Sequence, residues 1–167
     1  MSSVISIVQN AGQSYAGAAQ EVAKNISYLI QQDSATVNKT ASPMTVPEAG
    51  TRYSYEVWIR LRCDLAPNVR VDSIKAWYDS GMPASGYNLT VNSDVINSYQ
   101  APVNIQSTRG TRVEFDTKNS EGNSISLDGT LTDVGDYSSW LVFQLEVLST
   151  AETGNFEIEY TIQYDEY

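Results

Sequence analysis

Residues 51–63, TRYSYEVWIRLRC, alternate without a break, with Tyr53, Tyr55, Val57, Ile59, Leu61 and Cys63 on one side and Arg52, Ser54, Glu56, Trp58, Arg60 and Arg62 on the other. A period of two is the strand period, because successive Cβ atoms of an extended chain point to opposite faces of a sheet. The stretch predicts a long strand with one buried face. The turn formers of residues 64–68 (DLAPN) end it, and Val69, Val71, Ile74, Ala76 and Trp77 mark a second strand through Tyr78. The two read as a hairpin or a sheet-crossing pair.

The same period returns near the carboxyl end, where Leu141, Phe143, Leu145 and Val147 alternate with Trp140, Val142, Gln144, Glu146 and Leu148. After residues 149–154, Phe156, Ile158, Tyr160, Ile162 and Tyr164 face one way and Glu157, Glu159, Thr161 and Gln163 the other, which predicts a long hairpin. Shorter strands are expected at Tyr87–Val91, Val103–Gln106, Arg112–Phe115 and around Ile125, Leu127 and Leu131. Upstream, Asn25–Gln31 (NISYLIQ) suits a strand, whereas Ser14–Lys24 (SYAGAAQEVAK) suits a short helix or a loop, Gly17 weakening the helix. Many short strands at regular spacing with little helix predict an all-β chain, an antiparallel two-sheet β-sandwich of immunoglobulin-like or jelly-roll topology. The sandwich is expected over residues 25–167, preceded by an extended or partly helical N-terminal arm, residues 1–24.

A chain of 167 residues is long enough for one domain with its own core. Ten Lys and Arg against twenty Asp and Glu give a net charge of −10, a surface that repels phosphate backbones, so no nucleic-acid partner is expected. The absence of histidine removes the side chain most used for proton transfer near neutrality and the commonest metal ligand. Cys63 is the single cysteine, which excludes an internal disulfide and, within an apolar run, reads as a structural, buried thiol. Met1–Asn10 lacks the basic start of a secretory signal and no apolar run reaches membrane-spanning length, so the expectation is a soluble protein made in the cytoplasm, with no membrane partner.

Neither G-x-S-x-G nor a phosphate-binding or dinucleotide fingerprint is present, and no enzymatic activity, cofactor or metal is expected. Glu157 and Glu159 are paired carboxylates of the kind glycoside hydrolysis uses, but i and i+2 on an outward strand face is also what a soluble sheet edge looks like. Asp64, Asp72, Asp79, Asp94, Asp128, Asp133 and Asp136 lie near turns without the spacing of a calcium loop. Trp58 with Arg52, Arg60 and Arg62 on the polar face of its strand, together with Tyr15 in the arm, forms the candidate interface, since Trp and Arg dominate protein contact sites. The competing reading puts Trp58 under the arm or the second sheet. Aromatic platforms also bind sugars, which keeps a glycan receptor open as a partner.

Asp133-Val134-Gly135-Asp136-Tyr137 resembles the Asp-x-Gly-x-Tyr approach to the sixth strand of immunoglobulin domains, with Ser139 where the family has cysteine. The resemblance implies a structural role for Tyr137, as a tyrosine corner. Residues 53–77 (YSYEVWIRLRCDLAPNVRVDSIKAW) and 133–164 (DVGDYSSWLVFQLEVLSTAETGNFEIEYTIQY), about a third of the chain, resemble virion structural proteins of tailed phages. That resemblance implies a non-enzymatic, homo-oligomeric component made in the host cytoplasm and located in the virion. Its expected role is capsid decoration (cement), with the major capsid protein or other virion proteins as partners; a tail component is the alternative.

Overall fold

The computed structural model describes residues 2–11, 20–23, 29, 31, 33, 42–83 and 85–167. Among these the strands are β1 (Val4–Ala11), β2 (Gln20–Ala23), β3 (Thr51–Tyr53), β4 (Val57–Leu65), β5 (Val71–Ser80), β6 (Tyr87–Asn92), β7 (Arg112–Glu114), β8 (Ile125–Ser126), β9 (Leu141–Leu148) and β10 (Glu159–Glu166). Every pairing is antiparallel. One sheet has the order β2-β1-β4-β9-β6-β7, with β3 also on β9, and the other has the order β10-β5-β8. The chain is therefore an all-β, two-sheet sandwich, as the alternating stretches require.

The alternating stretch 51–63 runs along β9, but not as one regular strand. Tyr53 faces Glu146 and Val57 faces Phe143, so Ser54, Tyr55 and Glu56 oppose only Leu145 and Gln144. One extra residue on one strand is a β-bulge, and it reverses the facing of everything upstream. Val57, Ile59, Leu61 and Cys63 keep their expected inward positions, whereas Tyr53 and Tyr55 fall outside the core cluster. The Ser54 hydroxyl helps hold the bulge: the Leu145 N–H donates to Oγ at 3.0 Å, and the Ser54 N–H donates to the Leu145 carbonyl at 2.9 Å.

The core lies between the sheets. Val57, Ile59, Leu61 and Cys63 of β4, Leu89 and Val91 of β6, and Leu141 and Phe143 of β9 meet Ile74 and Ala76 of β5, joined by Phe115, Ile125, Leu127 and Leu131. Phe115 sits at its centre, edge-on to Phe143 at 5.0 Å and to Tyr160 at 6.3 Å. Edge-to-face rings fill the gap between sheets without facing like charge distributions.

Four expectations need correction. The two carboxyl-terminal runs do not form a hairpin: β9 is already paired on both edges, by β3 and β4 and by β6, so the chain crosses to the other sheet and β10 pairs with β5. Val103–Gln106 is not a strand: its backbone is held by the Glu56 and Gln144 side chains, with a single backbone bond from the Glu56 N–H to the Val103 carbonyl rather than a ladder. The arm expected over residues 1–24 is, where described, part of the larger sheet. Val4–Asn10 pairs with β4, Val8 is fully buried, and Ile5 and Ile7 pack on the core. The short apolar run of Val4, Ile5, Ile7 and Val8, with apolar side chains on both faces, suits a strand beside the open edge of β4 better than a free arm. Of Ser14–Lys24, expected as a short helix or a loop, Gln20–Ala23 is strand β2 and the remainder lies outside the described residues. Most of the strand expected at Asn25–Gln31 lies outside the described residues.

Candidate functional site

The outer face of the larger sheet, expected to be polar, is covered. After Asn92 the chain makes a long connection, residues 93–111, that crosses β9 and β4 before β7 begins. Trp140 donates its N–H to the Ile96 carbonyl at 2.8 Å, and Tyr99 lies 5.0 Å from Trp58 and 5.5 Å from Trp140, ring centre to ring centre. Trp58, Trp140 and Val142, with Ile96 and Tyr99 over them, form a second apolar cluster. Trp58 is 0% exposed and offers no surface to a partner. The competing reading of its burial was right in outcome, but the cover is the 93–111 connection rather than the arm or the second sheet.

Two buried polar side chains pin that connection. Glu56, 3% exposed, accepts from Ser107 Oγ at 2.5 Å, from Trp58 Nε1 at 3.1 Å and from the Val103 N–H at 3.3 Å, with Arg109 Nε 3.6 Å away. Gln144, 1% exposed, donates through Nε2 to the carbonyls of Ser54 and Ile105 at 3.0 and 2.8 Å and accepts the Ser107 N–H at 2.8 Å. Asn92 continues the β6–β9 ladder with its side chain, accepting the Val142 N–H at 2.7 Å and donating to the Trp140 carbonyl at 3.1 Å. Arg112 reaches across β6 to the Val142 and Thr90 carbonyls at 2.6 and 2.8 Å. Burial pushes its guanidinium down to about 10, against the upward pull of Glu56 and Glu146. Buried polar groups are costly unless satisfied, and here they are spent on holding an irregular segment in place. None of these residues stood out in the sequence; the apolar Trp140 and Val142, on the face of β9 opposite Leu141 and Phe143, carried the available signal.

The remaining candidates disperse. Arg60 stacks over the Tyr137 ring at 3.4 Å and the Trp140 ring at 4.3 Å, a cation held between two aromatic faces. Arg62 pairs with Asp64 at 2.6 Å, and Ser6 also donates to Asp64; these bonds, Ser6 first, hold that carboxyl below its usual range. Arg52 lies on the far side of the bulge, donating to Thr45 and lining a groove of about 490 Å3 with Pro47, Tyr53 and Ile105. Tyr15 lies outside the described residues. Trp58 and Arg60 thus share one cluster, and Arg52 and Arg62 do not join it.

Cys63 is 1% exposed, and burial, with Asp136 and Asp64 nearby, pushes its thiol up. Tyr137 is 37% exposed and marks where residues 135–138 pair with β4 beyond the end of β9: Gly135 N–H donates to the Cys63 carbonyl, and Cys63 N–H to the Asp136 carbonyl. Asp136 closes that turn by accepting the N–H groups of Thr132 and Asp133, which hold its carboxyl below the usual range. Glu157 and Glu159 are exposed, and Glu159 accepts from Ser80. Among the described residues no three Cys, Asp or Glu side chains gather as a metal site.

Two surfaces remain as places for a partner. One is a groove of about 370 Å3 lined by Tyr87, Phe156, Glu152 and Asn155, where the two rings meet edge-on at 4.9 Å. The other is one end of the sandwich, built by residues 2–4, 64–70, 131–136 and 165–167. Val4 pairs with Leu65, Gly135 bonds to Cys63, Leu131 bridges to Val71, Val69 bonds to Tyr167, and Ser2 and Ser3 bond to Glu166. Of the nine large apolar side chains exposed among the described residues, five lie on this end: Val4, Leu65, Val69, Val134 and Tyr167. No protein-family model, no curated protein and no solved structure matches the chain.

Proposed function

We propose that the chain is a non-enzymatic structural protein of a virus particle, a capsid decoration component that occupies equivalent sites on a symmetric shell in many copies. The observation that carries this reading is the concentration of exposed apolar side chains on one end of the sandwich. Apolar side chains scattered singly on a surface need no explanation, but a contiguous group favours protein contact. The acidic balance of the chain disfavours nucleic acid as the contacted surface. The resemblance of residues 53–77 and 133–164 to tailed-phage virion proteins implies a shell or a tail component, and of the two we take the shell, with the major capsid protein as the partner.

The test is uptake of the purified chain by phage shells stripped of accessory proteins, read by co-sedimentation, with its mass in solution followed by light scattering. Stoichiometric uptake is expected. A monomer that ignores shells but sediments with tails moves the reading to a tail component, and indifference to both removes the virion reading.

A second reading, a glycan-binding module, is favoured by the Tyr87–Phe156 groove, since flat rings beside amide and carboxylate groups suit a sugar. Trp58 and Trp140 are buried and cannot report on it. Titration with a glycan panel, followed by amide chemical shifts, should move Tyr87 and Asn155 if a sugar binds there; a blank panel sets this reading aside.

A further inference from the structure

We infer that the apolar end of the sandwich is the docking face and that its partner is a protein segment with an apolar centre flanked by lysine or arginine. The inference rests on the reading of the chain as an assembly protein and adds which surface is used and what it recognises. The centre of the face is Val4, Leu65 and Val134, drawn from three neighbouring segments: β1, the end of β4 and the 133–136 turn on the far side of β4. Val69 and Tyr167 extend it toward the smaller sheet, where the Tyr167 ring lies 4.3 Å from the Arg70 guanidinium.

The rim of the same end is acidic. Asp64, Asp72, Asp133, Asp136, Asp165 and Glu166 stand against only Arg62 and Arg70 among the described residues of this end. Both guanidinium groups are paired with carboxylates of the end itself, Arg62 with Asp64 and Arg70 with Asp72 at 2.5 Å. Asp165 is directly opposite Asp72 across the β10–β5 ladder, which places a further carboxylate on the smaller-sheet side of this end. An excess of carboxylates over cations favours a basic partner. A second copy of this face would bring acid against acid, which excludes self-association through it and selects a basic partner.

The test uses the full chain and short fluorescein-labelled peptides, one of leucine and lysine, one with serine for leucine and one with glutamate for lysine. The leucine–lysine peptide should bind, more weakly as salt is raised, and its affinity should fall about tenfold or more for the Leu65→Asp/Val134→Asp double variant. Both positions are exposed, so this variant should keep the wild-type melting temperature; Val95→Asp, exposed elsewhere, should change nothing. Equal binding by the double variant, or equal binding of the serine–lysine peptide, overturns the inference. Shells then separate it from the assembly reading. Uptake of wild type but not of the double variant supports both, and equal uptake overturns the face alone. Peptide binding without uptake of wild type by shells keeps the face and removes the capsid-decoration reading.

Discussion

Glu56 is a carboxylate surrounded by three donors, Trp58 two residues further along the chain and Val103 and Ser107 from the 93–111 connection. Replacing one of its oxygens with an amide turns an acceptor into a donor where a donor already points. Glu56→Gln should therefore cost about 1–3 kcal/mol, the range for a buried polar group left unmatched, and should alter Trp58 fluorescence, both followed by urea unfolding. Trp58→Ala should cost about 3–5 kcal/mol, because a fully buried ring against Trp140 and Tyr99 leaves a cavity. An unchanged unfolding midpoint would return Trp58 to the surface. At this scale the sequence was readable wherever a residue's neighbours along the strand decide its surroundings, as for Cys63. Glu56 was unreadable because the donors that bury it arrive from residues 103–109, and no spacing rule links them.

The strand is the scale at which periodicity informs best, and Val57–Cys63 and Leu141–Val147 face the core as their alternation requires. Alternation does not say which strand lies alongside. β10 looked like the partner of β9, yet β9 had no free edge left, and only the pairing of distant segments determines that. The bulge at 54–56 is invisible for a related reason: it is set by the count of residues on the opposite strand. For β1 the difference between arm and strand is a difference in stability. A detachable arm could be removed with the sandwich intact; a strand paired with β4 from Val4 to Asn10 cannot. A chain beginning at residue 12 loses the burial of Val8 and the packing of Ile5 and Ile7, at roughly 1.5–3 kcal/mol for each fully buried side chain. It also exposes the edge of β4. Its thermal transition should fall and light scattering should rise; an unchanged transition would mean that β1 adds little to the sheet.

For the whole molecule, acid is the stress most directly built into the surface. Asp64, Asp72, Asp94, Asp136 and Glu166 are all held below the usual carboxylate range by hydrogen bonds, led by Ser6, Arg70, Thr111, the Thr132 N–H and the Ser3 N–H respectively. A lowered pKa in the folded state means that the unfolded chain takes up protons first as pH falls. The stabilisation is then present above about pH 4 and is lost below it. Tyr160 works at the other limb: burial pushes its hydroxyl up to about 12, so the unfolded chain releases that proton first, and stability declines as pH rises beyond about 10. Melting temperatures across pH should show a plateau with two falling limbs. Asp136→Asn should flatten the acid limb and Tyr160→Phe the alkaline one; limbs unmoved by either change would assign them to other groups.

The position of β9 also governs how the molecule comes into being. It is the seam of the larger sheet, bonded to residues 51–59 on one side and 87–91 on the other, yet it comes long after both in the chain, with Ser54 waiting 91 residues for Leu145. On a ribosome, β4 and β6 emerge with the edges meant for β9 open. The larger sheet cannot close until that last seam has been synthesised. Such distant pairing makes folding slow and leaves the growing chain open to wrong strand partners, so production should improve when synthesis is slowed or cooled.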